Sequence, residues 1–155
     1  MAEGLFHRRR LPHYQPDDKA IFVSFRSYFT LTPAARSLVL KSCLYEHKRR
    51  IQLYAGVVMP DHVHLCFSLL RHPETTASYR LEAVMKDFKS VSAHRIVRLM
   101  DLPFVWQEEY FDHVLRSYER LEGAMEYIRQ NPVKARLAST PEQYQWLWET
   151  DDYID

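Results

Sequence analysis

The sequence predicts an α+β fold in which an antiparallel sheet carries helices mostly on one face, the ferredoxin-like (RRM-like) arrangement. Three observations predict it. Runs of β-forming residues interleave with runs of helical period in the order β-α-β-β-α-β-α; two of the β runs are separated only by Pro60-Asp61; and the repeated β-α-β of a parallel sheet is absent. The chain has 155 residues, of which 46% are hydrophobic, so it is read as one domain, 1–155, with material for a single core. Three glycines and the absence of repeats or low-complexity tracts argue against long linkers.

Each element has a local reason. Ile21 to Tyr28 is dense in β-formers and follows the polar turn Pro16-Asp17-Asp18, which makes it the first strand. Thr32-Pro33 supplies an N-cap and a first-turn proline, and Ala35, Leu38, Val39 and Cys43 give the following helix its apolar stripe. Ile51 to Met59 is the second strand, Pro60-Asp61 a break, and His62 to Leu70 a third strand hairpinned to the second. Across residues 79–98, Leu81, Val84, Met85 and Phe88 stand at i, i+3, i+4 and i+7, the spacing of an amphipathic helix. Strand character returns at Val105 and at Tyr110 to Arg116. The last helix starts at Ser117, repeats its core face in Leu121, Ala124, Met125 and Ile128, and is expected to stop at Asn131, because Pro132 disfavours helical geometry in the residue before it.

Composition removes several function classes. No apolar run approaches the roughly 18–20 residues of a membrane span, and Arg8-Arg9-Arg10 leads into Leu11-Pro12-His13-Tyr14 rather than a signal core, so a cytoplasmic protein without membrane partners is expected. Cys43 and Cys66 form no Cys-x-x-Cys pair and read as small buried hydrophobes. The net charge of +1 hides an asymmetry: Lys and Arg outnumber Asp and Glu by 10 to 4 in residues 1–50 and 6 to 4 in 51–100, but are outnumbered 5 to 12 in 101–155. That distribution disfavours coating duplex DNA by bulk charge and suits a local groove; it fits a merely solvated basic face equally well.

Two groups of residues can carry chemistry. In the third strand Val63, Leu65, Phe67 and Leu69 alternate with His62, His64, Cys66 and Ser68, so both imidazoles point away from the core side. Their roots lie about 7 Å apart, close enough to converge on one divalent ion, although two ligands alone do not make a site and a pair of partly exposed histidines satisfies the spacing as well. In the last helix Tyr127 and Asn131 share a stripe one turn apart, with Gly123 a turn earlier, where the absent side chain would leave space beside the Tyr127 hydroxyl. Boundary packing, a helix stop and close helix packing account for the same three residues.

Val57-Val58-Met59-Pro60-Asp61-His62-Val63-His64-Leu65 resembles the HUH motif of the single-tyrosine, IS200-like transposases. Leu11-Pro12-His13-Tyr14, Phe22-Val23-Ser24-Phe25-Arg26, Lys86-Asp87-Phe88-Lys89-Ser90, Trp106-Gln107, Asp112-His113-Val114-Leu115-Arg116 and Tyr127-Ile128-Arg129-Gln130-Asn131-Pro132-Val133-Lys134-Ala135 follow in the order of the REP-associated branch of that family. The likeness spans about residues 11–137. It implies an HUH endonuclease domain in which His62 and His64 bind the metal, Asn131 offers a third protein ligand and Tyr127 is the nucleophile. It also implies cleavage and rejoining of single-stranded DNA beside short hairpins through a 5′-phosphotyrosine, by a monomer rather than by the helix-exchanging dimer of the insertion-sequence relatives. Arg136 stands where relatives often carry glycine.

Two imidazoles and an amide oxygen with open positions suit Mg2+ or Mn2+, the nitrogen ligands favouring manganese, better than a closed zinc site. Arg8, Arg9, Arg10, His13, Tyr14, Lys86, Lys89 and Lys134 are candidate DNA contacts, and Tyr14, Phe111 and Trp106 are aromatics able to stack unpaired bases. His113 is placed beside the site as a packing or supporting group; His7, His47, His72 and His94 are read as incidental. The competing readings are a hairpin-binding protein without turnover and a small structural or metal-binding domain.

Overall fold

The computed structural model describes residues 19–151. Alternation in the first strand, β1 (Ala20–Ser27), sends Val23 and Phe25 to one side of the sheet and Phe22 and Ser24 to the other. Helix α1 (Pro33–Glu46) opens where predicted: Thr32 is its N-cap, the hydroxyl accepting from the Ala35 N–H at 3.2 Å, and Ala35, Val39 and Cys43 are its buried face. Strands β2 (Ile51–Val58) and β3 (His62–Leu69) form the expected antiparallel hairpin, with a bulge at Tyr54. Helix α2 (Leu81–Met100) buries Val84, Met85, Phe88 and Ile96, and a single strand β4 (Trp106–Leu115) spans the two segments read separately from the sequence.

Helix α3 (Tyr118–Lys134) is capped by Ser117, whose hydroxyl accepts from the Arg120 N–H. A 3-10 turn (Pro141–Gln143) and a short strand β5 (Leu147–Glu149) follow; neither was read from the sequence. Among the described residues the sheet order is β4-β1-β3-β2-β5, every neighbouring pair antiparallel.

Of the described α-helices, two lie on one face of the sheet and one on the other. Val63, Leu65 and Phe67 pack with Val39, Cys43, Val84, Met85 and Phe88 under α1 and α2. On the opposite face Ala55, Val57 and Cys66 meet Leu121, Met125 and Ile128 of α3. β3 is therefore buried on both sides, and the histidine face, for which the spacing alone also allowed a partly exposed pair, is roofed by α3.

The end of α3 differs from expectation. Pro132 lies inside the helix, not beyond it, and is buried. Its missing N–H costs one helical bond, but the next turn closes all the same, the Ala135 N–H donating to the Asn131 carbonyl at 3.0 Å. The helix ends just before Arg136, whose φ is +62°. Leu137 N–H donates to Pro132 O at 2.9 Å and Arg136 N–H to Val133 O at 3.0 Å, the paired bonds of a Schellman ending. Helix α3 is also tied to the segment after it, because the Arg129 guanidinium donates to Glu142 at 2.7 Å and to Glu149 at 3.0 Å.

A side chain with Cβ is strained in the left-handed region, whereas glycine is not. Arg136→Gly is expected to raise stability by about 0.5–1 kcal/mol, seen as a higher urea midpoint with an unchanged denaturant slope.

Candidate active site

The register between β1 and β3 assembles the site. Ser24 pairs with His64 and Arg26 with His62, so the period of two puts Phe22, Ser24 and Arg26 on the same face as the histidines. β4 extends that face, Ser24 pairing with Phe111 and Phe22 with His113. Over it α3 carries Tyr127, whose ring centroid is 5.4 Å from that of His64 and 5.9 Å from that of Phe22. The His62 and His64 rings are 4.8 Å apart and steeply inclined to one another at 71°. Phe22 lies against His64 at 5.5 Å.

Each imidazole is held by its Nδ1. The Nδ1 of His62 is 2.7 Å from Asp61 Oδ1; a carboxylate only accepts, so Nδ1 carries a proton, and in the uncharged ring Nε2 keeps a lone pair. The hydrogen bond from His62, reinforced by the charges of His62 and Arg26, holds the Asp61 carboxyl below its usual range. The Nδ1 of His64 is 2.6 Å from the Ser24 hydroxyl. His64 is 8% exposed, and burial first, then the proximity of His62 and Arg26, pushes its pKa down to about 4. Near neutral pH it is an uncharged imidazole, the form that donates a lone pair. Tyr127 is 46% exposed and borders an open groove of about 600 Å³ that reaches Phe111 and His113.

The profile of the family described as "Transposase IS200 like" matches residues 26–131 of this chain. The chain belongs to that family. As a transposase it is an enzyme of DNA cleavage and strand transfer. It is 21% identical to an uncharacterized protein of Haemophilus influenzae over 198 aligned positions, covering 98% of this chain and 96% of that one. It is 28% identical to the REP-associated tyrosine transposase of Escherichia coli (strain K12) over 86 residues, 56% of this chain and 47% of the relative, so that alignment spans less than half of the relative's length. Among solved structures, a REP-associated tyrosine transposase bound to a REP hairpin superposes with a TM-score of 0.66 at 18% identity, covering 89% of this chain and 81% of the other, which establishes a shared fold.

In this transposase the fold brings His62, His64 and Tyr127 together, with Asn131 one turn beyond Tyr127 on α3. A Cβ built on Gly123 meets nothing within 4 Å, so the glycine is not there for helix packing. Lys134 lies on the Tyr127 stripe, seven residues on and exposed. Lys86 and Lys89 are on α2, across the sheet from the histidines. The Lys89 ammonium donates to the carbonyls of Gln107 at 2.6 Å and Glu108 at 2.8 Å and its pKa is lowered by burial, so it ties α2 to β4. Trp106 is buried, its indole N–H donating to Ser92 at 2.9 Å, and offers no stacking surface. Arg8, Arg9, Arg10, His13 and Tyr14 lie outside the described residues. No helix among the described residues is long and apolar enough to cross a membrane.

Ser24, Arg26 and Arg120 were not singled out from the sequence. The signal for the first two was the alternation in β1, which becomes informative only once β1 is known to pair with β3. Burial of neutral His64 has a pH consequence. Unfolded, the ring takes a proton near 6.5; folded, it resists until about 4, so protons favour the unfolded chain between those values. In metal-free protein this stabilising contribution is full above pH 6.5 and is lost as pH falls towards 4. NMR titration of the His64 ring and urea midpoints across that range, compared with His64→Asn, are the check; a midpoint near 6.5 would contradict it.

Proposed function

We propose that this transposase cuts and rejoins single-stranded DNA beside hairpins, Tyr127 forming a 5′-phosphotyrosine while His62, His64 and Asn131 hold a Mg2+ or Mn2+ ion. The observation that carries the reading is the approach of a half-exposed Tyr127 to a neutral His64 whose Nδ1 is already engaged. Tyr127 reaches the histidines of its own chain, which supports a monomer acting in cis. The hairpin-bound relative shares the fold and supports a hairpin as the partner. A DNA substrate places the enzyme in the cytoplasm, at the nucleoid of a prokaryote.

The donor set fits a divalent ion. With Nδ1 of His62 on Asp61, its Nε2 is available, and the same follows for His64 when its Nδ1–H donates to Ser24. Among the described residues no third His, Cys, Asp or Glu joins the pair, and the Asn131 amide on the Tyr127 stripe is the candidate for a further, neutral oxygen ligand. A divalent ion bound there would withdraw charge from the non-bridging phosphate oxygens.

The chain's own residues do the rest. Phe22 and His64, themselves in contact, both pack at a steep angle against the Tyr127 ring and restrict where it can lie. The phenol loses its proton and its oxygen attacks phosphorus in line; the bond to the 3′ oxygen breaks, that oxygen takes up a proton, and the 5′ phosphate stays on Tyr127. Attack by another 3′-hydroxyl reverses the step and joins a different end. Arg26 beside His62, and Lys134 along α3, are placed to meet backbone phosphates.

The test mixes purified protein with end-labelled hairpin oligonucleotides carrying single-stranded flanks, in Mn2+, Mg2+ or chelator, followed by denaturing electrophoresis. A metal-dependent covalent adduct is expected from the wild type and none from Tyr127→Phe. Ser24→Ala and Asp61→Ala, which remove the hydrogen-bond partners of the two imidazoles, should weaken metal-dependent activity roughly 10- to 100-fold. Tight hairpin binding that ignores chelator, with no adduct under any metal, would replace this reading with a binding protein that lacks turnover.

A further inference from the structure

Beside the Tyr127–His64 pair the sheet face is left open. α3 covers β2 and β3, but over β4 two aromatic rings face solvent: Phe111, 59% exposed, and His113, also exposed. Their centroids are 6.5 Å apart and their planes lie within 13° of parallel. The groove that holds them continues without interruption to His64 and Tyr127, and its helical wall is Arg120, Ala124 and Tyr127. Arg120 is exposed, and among the described residues its guanidinium has no ion-pair or hydrogen-bond partner. Gly123 keeps the same stretch of helix free of a side chain.

An exposed aromatic on an edge strand is a liability in water, and a parallel pair of rings with an unengaged cation opposite is more specific than a stray apolar contact. We infer that this groove receives one unpaired base of the DNA flank, stacked on Phe111 and His113, with the adjoining phosphate held by Arg120. The inference rests on the nuclease reading above and assigns the residues that set where the strand lies relative to Tyr127. An unpaired nucleotide suits the groove on three grounds: a flat apolar face meets the rings, a negative charge meets Arg120, and the vacancy at Gly123 gives the sugar-phosphate chain room to pass along α3. Ser24 pairs with both Phe111 and His64, so the ring and the histidine stand about 10 Å apart at their roots, two strand spacings. The base is therefore close to the phosphate that Tyr127 would attack. Shape and stacking of this kind accept any base, with a preference for those that stack best.

The experiment is a binding cycle by fluorescence anisotropy. Hairpin oligonucleotides with one abasic site moved stepwise along the single-stranded flank are titrated with wild type, Phe111→Ala, Phe111→Tyr and Arg120→Gln. One flank position should weaken wild-type binding about tenfold or more, Phe111→Ala should cost a similar factor on the intact strand, and the two together no more than either alone. Phe111→Tyr should restore binding. Arg120→Gln should reduce the dependence of log K on log salt by about 0.7, the value of one single-strand phosphate, a change that a fold defect does not produce. Phe111 is largely exposed, so its truncation leaves the core intact, and circular dichroism verifies this. If Phe111→Ala binds every oligonucleotide like wild type while wild type still forms its adduct, the base receptor is wrong and the nuclease stands. If the cycle is non-additive but no adduct forms, the receptor stands and the nuclease reading fails. Wild type that binds none of the oligonucleotides overturns both.

Discussion

The antiparallel pairing of β1 with β3 is the constraint on which the site depends. In that register Ser24 stands opposite His64 and Arg26 opposite His62, so a hydroxyl and a guanidinium are delivered to the two imidazoles by the backbone ladder itself. A slip of one residue would turn His62 and His64 into the layer beneath α1 and α2 and put Val63 and Leu65 in their place on the α3 side. The apolar load on that other side, Val63, Leu65 and Phe67 against Met85 and Phe88, is what makes the slip costly. Core packing on one face thus fixes chemistry on the other.

Helix α3 completes the arrangement by a division of labour around its axis. Leu121, Met125 and Ile128 bury one side against the sheet, and Tyr127, on the shoulder, is left half-exposed over His64. The helix is secured beyond its apolar contacts by the Arg129 bonds to Glu142 and Glu149 and by the bond from the Tyr144 hydroxyl to Val58 O at 2.7 Å. The acidic residues of the last third of the chain therefore include groups that anchor the helix carrying Tyr127. Asp61 acts similarly at short range, accepting from His62 and so orienting it.

Roofing by α3 also sets the electrostatics. His64 is nearly enclosed, and desolvation keeps it uncharged, whereas His62, its side chain 18% exposed, stays at the edge where a phosphate can approach. Arg26 lies beside that edge. The same roof stops short of β4, so the groove passes from an enclosed end at His64 to an open end at Phe111.

The sequence by itself determined the elements, because their causes are local. The Thr32 and Ser117 caps, the 3.6 spacing in α2 and α3 and the alternation of β3 are set within a few residues, and the His62, His64, Tyr127 and Asn131 pattern with its neighbours marked the family before any coordinates. It missed what non-local packing decides. β5 is too short to declare itself without β2 to pair with; Pro132 stays helical because its turn is buried and closed by the Arg136 ending; and Lys89, a candidate phosphate ligand by type, is spent on the carbonyls of Gln107 and Glu108. Only the tertiary structure could place Ser24 and Arg26 at the histidines and leave Phe111 open while Trp106 is buried. Strand register and helix coverage join residues forty or more positions apart, and no periodicity along the chain encodes which strands become neighbours.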